Sequence, residues 1–416
     1  MTRGAWNAAK ALEVPPDTAP EYRRFPPERG SVTRSASQAD RCRNELPRHP
    51  AREALRLTEP RSGMVSGCAR ALGAAFIVLM LGACHHDNPS SPGGGTTSAP
   101  KVVLYCATDR EIAQDLIDQF TKETGIQVEA KFDTEAAKSV GLVQAIRQEK
   151  TNPQCDVFWG GGAFFCTMLA NDKCLASVPN DLIQAEGTAP HDAEGRWLGF
   201  AAAYRVLIVN TEVLAPDSRP NSFRDLTAPR FKGHVGIANP LFGGMAAHLA
   251  ALFTKLGEDG GRDWLQGLKN NDCAICAGMA DVKNRVASGE LWFGITSTID
   301  AHVAVDGGKP VAVIFPDQKP GEIGCLNGYN TVALVAGAPH PREAERLIRF
   351  LMTTRTEKIL AAGPGQNVGL LPDSVAQNVR PAWIPRGIRE MNVDWNEAVK
   401  AHPAATKAVK EILLDK

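Results

Sequence analysis

Between Val102 and Trp159 the chain alternates strand-like and helix-like patterns in the order β-α-β-α-β, and that order leaves few folds open. Val102-Val103-Leu104-Tyr105 reads as a buried strand, and Asp109 starts a helix whose apolar positions Ile112, Leu116, Ile117 and Phe120 share one face. Gly125 ends that helix in the left-handed conformation that glycine adopts without steric cost. Ile126, Val128, Ala130 and Phe132 alternate with polar residues as a second strand. Val140, Val143 and Ile146 mark a second amphipathic helix, and Asp156-Val157-Phe158-Trp159 a third strand. Strands separated by helices pair in parallel through right-handed crossovers, which predicts an α/β sheet with ligands at its carboxyl ends.

A second stretch bears on where such a domain resides. Ala71 to Ala83 is a run of apolar or small residues behind Arg70, the layout of a secretory signal, and is shorter than the about 20 residues that cross a bilayer. It closes on Leu81-Gly82-Ala83-Cys84, which reads as a bacterial lipoprotein cleavage box whose Cys84 thiol takes diacylglycerol and becomes the new N-terminus. Acyl chains then tether an otherwise soluble domain to a membrane surface. The rival reading is a buried core helix with a chance cysteine, and the polar, Gly/Ser/Thr/Pro-rich residues 85–98 argue against it. The expected division is a mis-assigned or disordered extension over 1–63, a signal peptide over 64–83 starting at Met64, and a lipidated cysteine with its linker over 84–100. The chain carries 46 Lys+Arg and 46 Asp+Glu, but 12 of the basic and 8 of the acidic residues precede Met64 and Arg70 lies in the signal, which leaves the exported part near −5. A mildly acidic domain has no electrostatic grip on nucleic acid.

Lys101 to Lys416 is long enough for two lobes. Its blocks resemble a known family. Val103-Leu104-Tyr105 with its helix, and Phe120-Thr121-Lys122-Glu123-Thr124-Gly125-Ile126-Gln127-Val128, are similar to the first unit of the family 1 extracellular solute-binding proteins of ABC importers, in the branch for ferric iron, thiamine or aminoethylphosphonate. The likeness continues in order through Asp156 to Trp159, Arg205 to Thr211, Phe231 to Gly233, Ala287 to Glu290, Asn330 to Leu334 and Ala344 to Leu351. The resemblance implies an α/β, two-lobed type II periplasmic-binding-protein fold, with a hinge of crossing strands and an interlobe cleft that closes on ligand. Lobe 1 would comprise 101–204 plus 300–370 and lobe 2 205–299 plus 371–416. Arg205 to Thr211 would be the first crossing segment, Thr296 to Asp300 the return, and the final helices would pack across both lobes. It further implies a monomeric periplasmic or cell-surface lipoprotein that is not an enzyme and needs no cofactor. Its partners would be a small-molecule or ion ligand, an inner-membrane ABC permease and, through the lipid, a membrane.

The same pattern points at loops for ligand binding: Thr108 and Asp109 after the first strand, Gly160 and Gly161 after Trp159, and Gly243, Gly244 and Met245 ahead of an apolar helix. Gly278 follows another strand, Ser297, Thr298 and Asp300 lie at the lobe return, and Tyr329 joins them. Glycines ahead of helix N-termini expose backbone N–H groups and the positive dipole end, which suits an anion, although any one pair alone is more often an ordinary turn. Arg205 offers a guanidinium fork for carboxylate or phosphonate oxygens, or else a surface salt bridge beside the hinge. Asp300 binds a cationic group or caps the next helix.

Ligand and cysteines depart from the ferric-binding pattern. Ferric-binding relatives place two adjacent tyrosines near the lobe return, because phenolates are hard donors for Fe³⁺; Thr298-Ile299 stand there instead, and beyond Cys84 the tyrosines are Tyr105, Tyr204 and Tyr329. No metal site is expected, and a hydroxyl-rich or anionic ligand is favoured among ferric-complex, phosphonate and thiamine-like classes. Of 10 cysteines, seven follow Cys84: Cys106, Cys155, Cys166, Cys174, Cys273, Cys276 and Cys325. In an oxidising compartment most should pair, Cys106 with Cys155 and Cys166 with Cys174, while Cys273-Ala274-Ile275-Cys276 reads as a structural disulfide or half of one rather than a zinc or redox site. Two other functions stay open. One is a degenerate binding protein acting as a sensor; the other is a hydrolase using a thiol such as Cys166 or Cys276 with a histidine, although no G-x-S-x-G or H-E-x-x-H motif appears.

Overall fold

The computed structural model describes residues 99–133, 139–186 and 189–414, all within one compact unit, Ser90–Lys416. The apolar run, Cys84 and residues 85–98 lie outside the described residues. β1 (Lys101–Cys106), α1 (Arg110–Thr124), β2 (Gln127–Phe132), α2 (Val140–Gln148) and β3 (Val157–Gly160) follow one another in the order that periodicity predicts. β1 pairs in parallel with β2 on one side and β3 on the other. α1 buries Leu116 and Phe120 completely, each contributing about 1.5–3 kcal/mol. It ends at Gly125, whose φ of 72° aims its N–H at Thr121 O, 2.9 Å away. α3 (Ala163–Asn171), β4 (Leu175–Ala176), α4 (Asn180–Glu186) and β5 (Leu198–Phe200) come next.

A second sheet begins at β6 (Arg205–Asn210) and adds β7 (Val235–Ala238), β8 (Ala274–Cys276), β9 (Phe293–Ser297) and β10 (Val311–Ile314), in the spatial order β10-β6-β9-β7-β8. β7 runs parallel to β8 and β9, while β6 runs antiparallel to β9 and β10. Its helices are α5 (Gly243–Asn270), kinked at Gly257, α6 (Met279–Ala287) and α7 (Thr298–Asp306). The chain then places β11 (Asn330–Val335) in the first sheet, antiparallel to β3, in the order β2-β1-β3-β11-β4, with β5 also paired to β11. α8 (Pro341–Leu351), α9 (Thr354–Ala362), α10 (Pro372–Ala376) and α11 (Trp395–Val409) finish the chain. α11 packs on both α3 and α5, giving Ala398 to the core beside α3 and Ala405, Ala408 and Val409 to the core of the second sheet.

Two boundaries differ from expectation. Val313 of β10 pairs opposite Ile208 of β6, so the return to the first sheet comes after Ile314 rather than at Thr296 to Asp300. Arg205–Asn210 is a strand of the second sheet, and the crossing precedes it. There Ala202 and Val368 exchange backbone hydrogen bonds of 2.6 and 2.9 Å, and Gly328 N donates to Ala203 O at 2.7 Å.

The cysteines also correct the expectation. All seven described are free thiols. The register sets Cys106 opposite Trp159 and Leu104 opposite Val157. Cys155 precedes β3, so it stands four residues along from Cys106, roughly 13 Å at strand rise and out of disulfide reach. Cys166 instead turns inward, its Sγ 3.1 Å from Thr331 Oγ1, while Cys174 lies beyond the end of α3 near Asp172 O. Cys273 and Cys276, three residues apart at β8, remain unpaired, and Arg285 donates to Cys276 Sγ at 3.3 Å.

Candidate functional site

A cavity of about 280 Å³ opens where the carboxyl ends of the parallel strands of both sheets meet. Ala107 follows β1, Gly161 follows β3, Asn239 follows β7, Ala277 follows β8 and Ser297 ends β9, and all five line it. The N-termini of α1, α2, α5, α6 and α7 also converge there, through the N-cap residues Asp109, Ser139, Gly278 and Ser297 and through Gly243, the first residue of α5. Exposed N–H groups and positive dipole ends make such a convergence receptive to negative charge.

Arg205, the first residue of β6, supplies a full positive charge to this cavity and is 8% exposed. Its Nε is buried with no hydrogen-bond partner. The guanidinium lies between two backbones. A Cβ at Gly244 would collide with Nη2, and one at Gly328 would stand 3.2 Å from Nη1 and Nη2, so glycine at 244 is a requirement of this close approach. Burial pulls the guanidinium pKa below its usual value, with the Asp300 carboxylate opposing, yet the group stays charged at neutral pH. At 8% exposure the guanidinium is not a surface group, and the Asp300 carboxylate supplies an opposing charge.

The remaining polar groups are held firmly. Asn330 Oδ1 accepts from Thr108 Oγ1 at 2.9 Å and Trp159 Nε1 at 3.0 Å, while its Nδ2 donates to Ala201 O at 2.9 Å. Asn367 Nδ2 donates to Ala201 O and Ala202 O at 3.1 and 3.3 Å, and its Oδ1 is buried without a partner. Ser139 sits at φ 67°, unusual for a residue with a side chain, beside Gly161. Ser297 caps α7, accepting from Asp300 N at 3.1 Å and donating to Asp300 Oδ2 at 2.7 Å, so Asp300 serves the helix start. Tyr329 OH accepts from Trp395 Nε1 at 3.1 Å, and burial pushes its pKa up, away from the phenolate a ferric ion needs. Among the described residues no group of three or more His, Cys, Asp or Glu is placed to hold a metal ion.

The family described as bacterial extracellular solute-binding protein matches residues 115–384. The chain belongs to that family. It is similar to the Fe(3+)-binding periplasmic protein of Serratia marcescens, 26% identical over 266 residues that cover 62% of this chain and 75% of the relative. It is also similar to the putative 2-aminoethylphosphonate-binding periplasmic protein of Salmonella typhimurium, 27% identical over 252 residues, 60% of this chain and 71% of the relative. Iron-bound HitA from Pseudomonas aeruginosa shares the two-lobed fold, with a TM-score of 0.67 at 21% identity, covering 76% of this chain and 100% of HitA.

In this solute-binding protein the first lobe brings Thr108, Asp109 and Gly161 to the cavity, and the second brings Arg205, Gly243, Gly244, Met245, Gly278, Ser297 and Asp300. Tyr329 reaches it from the crossing segment. Gly160 and Thr298 do not line it. Gly160 is the last residue of β3, and a Cβ there would stand 2.7 Å from Thr331 Oγ1; Thr298 Oγ1 accepts from Tyr204 N at 3.2 Å and secures the crossing. Ser139, Asn239, Phe242, Asn330 and Asn367 line the cavity without having been singled out by the sequence. Asn239-Pro240 carried a usable signal, since an Asx turn follows with Leu241 N on Asn239 Oδ1 at 3.0 Å. The thiols invoked for a hydrolase are poorly suited to attack: burial pushes Cys166 up to about 12 and raises Cys276 as well.

Proposed function

We propose that the protein is the substrate-binding lipoprotein of an ABC-type importer, anchored at a membrane through Cys84, which captures a small anion in its interlobe cleft and passes it to an inner-membrane permease. Family membership supports the import role, and the cleavage box Leu81 to Cys84 supports periplasmic export with a lipid anchor. The observation that carries the ligand reading is Arg205, a buried guanidinium whose Nε has no hydrogen-bond partner, in a cavity lined by several helix N-termini. A degenerate sensor would have no use for so buried a charge. The relative named for a phosphonate fits this reading better than the one named for Fe(3+), because Thr298-Ile299 and the hydrogen-bonded Tyr329 do not offer paired phenolates.

A thermal-shift panel on the full chain tests it, using phosphate, methylphosphonate, 2-aminoethylphosphonate and ferric citrate. A ligand that binds only the folded state raises the melting temperature as its concentration exceeds its Kd. At least one anion should do so, and Arg205→Ala should weaken it by about 1–3 kcal/mol. An unchanged Kd in that variant removes Arg205 from the site.

A further inference from the structure

Phe242, the N-cap residue of α5, is 37% exposed and is the only aromatic ring among the exposed large apolar side chains of the described residues. It is not on an outer face. It lines the cavity, two residues before the Gly244 backbone on which Arg205 rests. Met279 opens α6 and Ile299 is the second residue of α7; both line the same cavity and both are only half-buried. Ile112 of α1 stands half-buried in the lining contributed by the first lobe. The cavity that holds this buried cation is therefore also lined by apolar groups from four helix starts. An inorganic anion would satisfy Arg205 and leave this apolar lining wet, whereas apolar area gains by leaving water. The cavity volume of about 280 Å³ approaches the about 300 Å³ at which pockets for drug-sized organic ligands begin.

We propose that the ligand is an organic anion, with its charged head on Arg205 and an apolar or planar body covered by Phe242, Met279 and Ile299. This rests on the anion reading above and narrows it to a chemical class. Closure of the lobes would then bring Ile112 down on the other side of the body.

The test uses two probes with one head group, methylphosphonate and phenylphosphonate, titrated calorimetrically into the full chain. Phenylphosphonate should bind about tenfold more tightly, the gain expected from burying one face of a ring. Phe242→Ala should narrow that ratio to about twofold, and Phe242→Leu should leave it in between. Equal affinities in the unaltered protein, or a ratio that survives Phe242→Ala, overturn the proposal while leaving the anion site standing. Binding of neither phosphonate to the unaltered protein overturns the anion reading and this proposal with it.

Discussion

His248 lies one helical turn beyond Gly244 on α5, fully buried, and neither of its ring nitrogens has a partner. Its ring packs edge-on against Phe223, with centroids 4.5 Å apart. Burial, and then the charge of Arg205, pull its pKa from 6.5 to about 3, so the imidazole stays neutral beneath the guanidinium. The unfolded chain accepts a proton on this ring below about pH 6.5, and the folded chain refuses it. Stability therefore falls as pH drops from 6.5 toward 3, by about 2–3 kcal/mol from this residue at pH 4.5. Melting curves at pH 6.5 and 4.5 should show a smaller acid loss for His248→Leu than for the unaltered protein, and an equal loss would contradict the assignment. Arg205 itself was legible as a charge opening an aliphatic strand. Its burial was not, because the space it occupies is cleared by glycines at 244 and 328, which lie far from it in sequence. Phe242, Asn330 and Asn367 were missed for the same reason, since each gains its role from the partner that folding brings to it.

At the level of elements, one buried carboxylate ties together the backbone segments that flank the crossing between sheets. Glu357 of α9 is fully buried and accepts from Ala201 N at 2.7 Å, Leu370 N at 2.9 Å and Leu371 N at 3.1 Å. Truncation would strand three buried backbone donors, each costing about 1–3 kcal/mol. Glu357→Ala should therefore lose at least about 3 kcal/mol by urea denaturation, and Glu357→Gln, which keeps an acceptor, should lose less. A loss below about 1 kcal/mol in the alanine variant would show that water replaces the carboxylate. Elements fixed by local periodicity were readable. β1 through β3 follow from alternation and an amphipathic face, and Gly125 ended α1 as its conformational freedom allows. Elements fixed by distant pairing were not. The short run Val311–Ile314 carries no sign that it joins β6, so the lobe return was placed too early. The cysteine pairing failed similarly, because adjacency of β1 and β3 says nothing of the four-residue offset in their register.

On the scale of the whole molecule, two sheets each present the carboxyl ends of parallel strands to one cavity, and antiparallel crossing segments such as Tyr204 opposite Asn327 join them. Closure of the lobes about these segments is the motion a hinge of this kind permits. Tyr204 OH and Asn327 Nδ2 both donate to Glu390 Oε1, at 2.8 and 3.2 Å, so the crossing is buttressed from the C-terminal segment rather than left slack. The crossing is thus expected to act as a rigid pivot, and the charged, partly apolar cleft to shut on its cargo. A crystal structure of the protein grown with a phosphonate tests this most directly. It should show the lobes drawn together and the phosphonate oxygens about 2.7–2.9 Å from the Arg205 guanidinium nitrogens. A phosphonate bound outside the cavity, or an Arg205 guanidinium turned away from it to pair with Asp300, would contradict the account.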